Sequence, residues 1–340
     1  MGCPWASSET IRAAAWLITA LARLRALPTA EVSGGCFCCR FDDLLAATGA
    51  LAAAAPQMIL AEPVGSCTDL AATVLRPLAA LHAARYALAP LSVVVDAPRL
   101  LRLIRGAPDE QADDLSYLFT KQLEEADLLL LNKQDLLSSE QLELVGRWLA
   151  TTYPGRPVLP LCAARGEGVA AWLERVMAPG QAVAARPLDL DYARYAHAEA
   201  RMGWLNASGT LPGERAGSAR DWAASFLGLL AARLDAAALP VAHVKLQVAP
   251  VGGPAPAALK ASLVGPPPSQ VVWDLSDAPG PAAGARWLLN ARVDAAHDGG
   301  RAIVETALRE TAGPTAAPDP ASLESFQPAA PQPTHRLVLA

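Results

Sequence analysis

The sequence predicts an α/β fold: a mostly parallel sheet followed by a second, smaller α+β domain. Short, nearly all-apolar runs alternate with helix-like stretches through the first half, as expected for strands buried on both faces between crossover helices. Those runs close on polar residues, Glu62, Asp96, Asn132 and Cys162, and ligands of such sheets bind at the carboxyl ends of the strands. After Pro179-Gly180 the pattern changes to stretches that alternate with period two.

The elements follow in order. Residues 9–27 contain neither Gly nor Pro and read as a helix. A glycine-bearing loop runs to Arg40, and residues 41–54 form a helix that Asp42 or Asp43 helps to start. Strands are predicted at 57–61, 91–96, 128–131 and 157–161, with helices at 69–84, 109–126, 138–151 and 168–177. Beyond 182, strands are expected at 204–207, 241–248, 258–264, 270–275 and 286–293, with helices at 219–238 and 299–310. Trp204, Trp222, Trp273 and Trp287 read as core or interface anchors. The predicted division is therefore 1–182, 186–311 and a Pro/Ala-rich tail, 312–340, expected to be disordered.

Composition narrows the function. The chain has 340 residues, net charge −5 and 52% apolar content, without a long basic stretch. Nucleic acid is therefore not the expected partner. No run reaches the ~20 apolar residues that span a bilayer, so no membrane partner is expected. The apolar stretch Ala13–Ala22 follows Arg12 as a signal-peptide core would, but Glu9 precedes it and Arg23 and Arg25 interrupt its exit. Position 6 is Ala6, which does not suit N-myristoylation. The expected location is cytoplasmic.

Three of the six cysteines, Cys36, Cys38 and Cys39, crowd into four positions. That spacing fits no ordinary disulfide framework. Three thiolates in one loop suit a soft metal such as Zn²⁺ or Cu(I); adventitious buried thiols and a redox-active cluster are the alternatives. The most informative feature is Asn132-Lys133-Gln134-Asp135, a short pattern given weight by its place directly after the buried run Leu128–Leu131. An N-K-x-D loop after a buried strand selects guanine, because the aspartate accepts from both N1–H and the 2-amino group. The asparagine reads the N7/O6 edge, and the lysine stem covers the base.

Together, Gly35-Cys36-Phe37-Cys38-Cys39, Glu62-Pro63-Val64-Gly65 and Asn132-Lys133-Gln134-Asp135 resemble the pattern of the CobW-like GTPases, relatives of the HypB and UreG metallochaperones in the P-loop NTPase superfamily. The resemblance covers residues 30–180 well and 190–310 more loosely. It implies a P-loop-NTPase-like sheet and GTP, Mg²⁺ and Zn²⁺ (or another soft transition metal) as ligands. Its implied partners are a metal cargo and a client metalloprotein, and a homo-oligomer is compatible with it. By the same resemblance Cys36, Cys38 and Cys39 hold the metal, with a fourth ligand open among Cys67, His243, water and a partner side chain. Glu62 holds Mg²⁺ through water, and Gly65 senses the γ-phosphate. Asn132, Lys133 and Asp135 read the base, while Cys162 and Ala163 stand where backbone donors meet guanine O6. Asp96 is either structural or a group that holds Mg²⁺ through another ligand, the structural role being favoured, and His243 reads as a structural strand histidine.

The family's phosphate loop, Gly-x-x-x-x-Gly-Lys-Ser/Thr, is missing from the sequence. The parallel sheet is accordingly expected to lack its usual central strand, and GTP hydrolysis to be impaired. A head lying upstream of Met1 is favoured over a degenerate family member. The expected function is a GTP-binding metallochaperone or metal insertase, with a cobalamin- or zinc-related role. The alternative is a non-catalytic zinc-binding or scaffolding protein.

Overall fold

The computed structural model describes residues 5–11, 27–33, 35–106, 114–179, 186, 188–212, 219–239, 241–250, 258–264, 269–275, 284–294, 297–312 and 323–338. Strand β1 (Trp5–Ile11) lies between β2 (Thr29–Ser33) and β3 (Met58–Glu62) in a three-stranded parallel sheet. Residues 9–11, expected to be helical, are therefore strand; residues 12–26 of that expected helix lie outside the described residues. The β-branched pair Thr10 and Ile11 suits a strand between two parallel neighbours, and tertiary pairing outweighs the weak helical preference of an alanine-rich stretch. β1 is the middle strand of this three-stranded sheet.

Helix α1 (Phe41–Ala52) precedes β3. After β3 comes a π-helical turn, Ala71–Leu75, running directly into α2 (Arg76–Leu81). The remaining parallel strands form a second three-stranded sheet, β4 (Ser92–Asp96), β5 (Leu128–Asn132) and β6 (Val158–Pro160) in that order. The predicted parallel pattern is thus present, divided between two sheets. Asp96 caps α3 (Ala97–Ile104) by accepting from the Arg99 N–H at 2.9 Å. Helix α4 (Asp114–Glu125) leads into β5, and α5 (Ser139–Thr152) starts from a capping box between Ser138 and Gln141. The core of this sheet is formed by Leu100, Phe119, Leu123, Leu129, Val145 and Leu149. Helices α6 (Val169–Met177) and α7 (Tyr192–Arg201) follow.

A six-stranded antiparallel sheet completes the chain. Its strands are β7 (Met202–Pro212), β8 (Val241–Pro250), β9 (Leu259–Val264), β10 (Gln270–Leu275), β11 (Gly284–Asp294) and β12 (Glu324–Phe326), in the order β10-β9-β8-β11-β7-β12. Helices α8 (Ala219–Ala236) and α9 (His297–Ala312) contribute to its core, where Trp222 stacks on Phe226 and tilts against Trp287. Trp204 stacks on Phe326 of β12. Within the tail expected to be disordered, β12 pairs with β7, and Pro331–Ala340 belongs to a compact unit. Apolar and hydrogen-bonding anchors in a Pro/Ala-rich segment explain the difference.

The chain divides into two compact units. One comprises Met1–Cys36, Asp42–Val64 and Glu199–Ala330; the other comprises Phe37–Phe41, Gly65–Ala198 and Pro331–Ala340. Among the described residues, no helix is long and apolar enough to cross a membrane.

Candidate nucleotide and metal site

Strand β5 ends at Asn132, and Lys133 turns the chain by adopting a left-handed conformation, φ 60°. Left-handed backbone in a non-glycine residue costs of order 1–3 kcal/mol and persists where surrounding contacts hold it. The Lys133 ammonium meets the Asp96 carboxylate at 2.7 Å, so Asp96 caps a helix and anchors this turn together. This is the structural role expected of it. The Asn132 Oδ1 accepts from the Ala163 N–H at 3.0 Å, which ties the loop after β5 to the loop after β6.

Asp135 faces the same second loop. A hydrogen bond from the Cys162 thiol, with the Arg165 charge adding to it, holds its carboxyl below the usual range. The Arg165 guanidinium sits on Asp135 Oδ2 at 3.0 Å and also pairs with Glu167. Only one guanidinium N–H meets Asp135, while Nε and Nη2 both go to Glu167. Asn132, Asp135, Cys162 and Ala163 are thus brought together. The Cys162 and Ala163 N–H groups, expected to face guanine O6, are instead taken by the Glu167 carbonyl and Asn132. These backbone groups close the loop on itself.

The cysteine loop forms a second feature. The thiols of Cys36, Cys38 and Cys39 lie within 4.8 Å of one another, and no further His, Cys, Asp or Glu joins them among the described residues. The Cys38 and Cys39 sulfurs are 3.7 Å apart. Two thiolates on a tetrahedral Zn²⁺, each about 2.3 Å from the metal, stand roughly 3.8 Å apart, so the Cys38–Cys39 pair has that spacing and the three thiols together could hold a metal ion. Cys36 and Cys38 are buried and Cys39 is half-buried, and none of the three is in a disulfide. Cys67 and His243 are not members of the cluster. His243 packs edge-on against Trp204, and burial, with the charges of Lys245 and Arg292 adding, keeps its pKa well below the usual imidazole value. It is a neutral structural histidine.

Glu62 ends β3, in register with Glu9 of β1, and so lies in a different sheet from Asp96 and Asn132. Neighbouring chain raises its carboxyl pKa by desolvation, partly offset by Lys245. Its side chain nevertheless keeps an exposed surface, so hydration limits that rise. Gly65 accepts from the Gln122 amide through its carbonyl at 2.9 Å, and a Cβ there would meet nothing within 4 Å.

A further cluster was not anticipated from the sequence. Asp69 is fully buried with φ 61°. Its Oδ2 accepts from the Tyr192 hydroxyl and from Arg336 Nε, both at 2.7 Å. Its carbonyl accepts from the Thr73 N–H and hydroxyl. Glu125, at the end of α4, accepts from the Ala71 N–H, and burial pushes its pKa up to about 8. The one sequence signal was a glycine-to-aspartate stretch, Gly65–Asp69, opening an apolar run.

Residues 14–160 match the family model for the CobW/HypB/UreG nucleotide-binding domain. No curated protein and no solved structure gives a significant match. The three motifs lie within the matched segment, two of them in the loops just described. Over residues 14–160, just under half of the chain, the sequence is therefore similar to the CobW/HypB/UreG nucleotide-binding domain.

Proposed function

We propose that this protein binds GTP and a soft metal ion, and that it hands the metal to a client protein as a metallochaperone or insertase. The observation that carries the reading is the three-thiol cluster of Cys36, Cys38 and Cys39, in the same family-matched segment as the Asn132–Asp135 loop tied to Ala163. In this reading Asp135 selects guanine, Lys133 covers the base and Asn132 holds the two loops together. Cys36, Cys38 and Cys39 carry the metal cargo, with Zn²⁺ the best fit to their geometry. Glu62 would supply a single carboxylate to Mg²⁺, with water and phosphate oxygens completing its shell, and Gly65 would stand near the γ-phosphate. The sequence lacks the lysine and glycine loop that stabilise a transferring phosphoryl group, so turnover by this chain is expected to be slow.

The test is titration with fluorescent GTP and ATP analogues. GTP should bind in preference to ATP, and Asp135→Asn should abolish the preference. Arg165→Ala should tighten GTP binding about two- to fivefold, since an exposed ion pair is a weak competitor. Equal affinity for both nucleotides in the wild-type chain would refute the guanine assignment. GTP hydrolysis at rates of about 1 s⁻¹ or more would refute slow turnover.

A further inference from the structure

The segment that begins at Pro331 lies along the cysteine loop as an extended peptide. The Gln332 N–H donates to Cys39 Sγ at 3.2 Å, and the Thr334 N–H donates to the Cys38 carbonyl at 2.7 Å. The Thr334 hydroxyl reaches the Cys39 carbonyl at 3.4 Å. The His335 ring stands edge-on to Phe41, with centroids 5.0 Å apart. Arg336 then pairs with the fully buried Asp69, lies over the Tyr192 ring and donates to the Leu188 carbonyl. The Leu337 N–H donates to the Ala72 carbonyl at 2.8 Å, while the Leu337 carbonyl accepts from Arg76 at 3.0 Å. Main-chain bonds, an aromatic contact and an arginine anchored on a buried carboxylate are the means by which proteins hold peptide ligands.

We propose that residues 331–338 form a displaceable strap occupying a peptide-binding groove over the thiolate loop, latched by Arg336 on Asp69. The strap covers Cys39, so a metal donor or acceptor reaches the thiolates only after it leaves. A partner that takes the metal would fill the groove with its own extended segment, carrying an arginine at the latch. The contacts stand without the metal assignment; their consequence for metal transfer rests on the function proposed above.

The test uses the metal-free chain. Alkylation of Cys39 is followed by mass spectrometry in the wild type, in Arg336→Ala and in a chain ending at Ala330. Both variants should react roughly ten- to a hundredfold faster, the range given by loss of a charge-assisted hydrogen bond. A synthetic peptide of residues 331–340 should restore protection to the shortened chain, whereas the same peptide with alanine at the arginine should not. Unchanged rates in both variants overturn the strap. Should the shortened chain fail to fold, Arg336→Ala alone decides. Zn²⁺ binding by the wild type, measured separately by equilibrium dialysis, tests the metal reading: a chain that binds no zinc but is unmasked by Arg336→Ala keeps the strap and loses the metallochaperone.

Discussion

Glu125 shows what a single buried carboxyl group contributes. Burial raises its pKa to about 8, against the pull of the Ala71 hydrogen bond, with the charges of Asp69 and Asp127 adding to the rise. The unfolded chain ionises this group near its ordinary value while the folded chain keeps the proton. Stability is therefore undiminished below about pH 4.5, falls as pH rises to about 8 and is level above that, a loss on the order of a few kcal/mol. Glu125→Gln keeps an oxygen acceptor for Ala71 and removes the titration. Its melting temperature relative to wild type should rise steadily between pH 5 and 8. A difference that does not change with pH would show that Glu125 is ionised in the fold. None of this was legible in the sequence, because a glutamate closing a helix reads as a solvated surface charge. What buries it is the turn at Asp69–Ala71, more than fifty residues away.

At the scale of elements, the loop from β6 into α6 is set by one glycine. Gly168 has φ 82°, and a Cβ there would run into the Pro160 carbonyl oxygen. Gly155 has a similar φ of 76° with open space around it. Gly155→Ala should thus cost only the left-handed strain, about 1–2 kcal/mol. Gly168→Ala should lower the melting temperature further and weaken GTP binding, because it displaces the loop bearing Cys162 and Ala163. Equal losses in the two variants would refute that role for Gly168. Strands such as 92–96 and 128–132 were legible because continuous apolar runs have few other fates. Helices α3 and α7 were not anticipated. The first begins immediately at the end of a strand, its start hidden in the Asp96 cap, and the second has a polar, alternating composition, Tyr192–Arg201, that resembles a linker. The loop proposed to read guanine was legible as a four-residue pattern. Its occupation by Arg165 depends on a loop thirty residues later and was not.

Across the whole molecule, the proposed function requires that metal and nucleotide influence each other; one compact unit holds Cys38, Cys39, the strap and the loop after β5, while Cys36 and Glu62 belong to the other. Phe37–Phe41, Gly65–Ala198 and Pro331–Ala340 make up the first unit. Within it, Cys38 and Cys39 bond the C-terminal strap, Arg336 pairs with Asp69, and the Ala71 N–H reaches Glu125. Glu125 closes the helix that leads into β5, at whose end lies Asn132. A change in the strap on metal binding has a route to the loop after β5 made partly of these hydrogen bonds and partly of covalent backbone. A route is an argument for coupling only when the coupling is measured. GTP should change Zn²⁺ affinity by about fivefold or more, and Zn²⁺ must change GTP affinity by the same factor, since linkage is reciprocal. Arg336→Ala should shrink both factors together while leaving guanine selectivity intact. Independent binding of the two ligands would reduce the protein to a zinc-binding scaffold with a separate nucleotide loop. Coupling that survives Arg336→Ala undiminished would place the connection outside the strap.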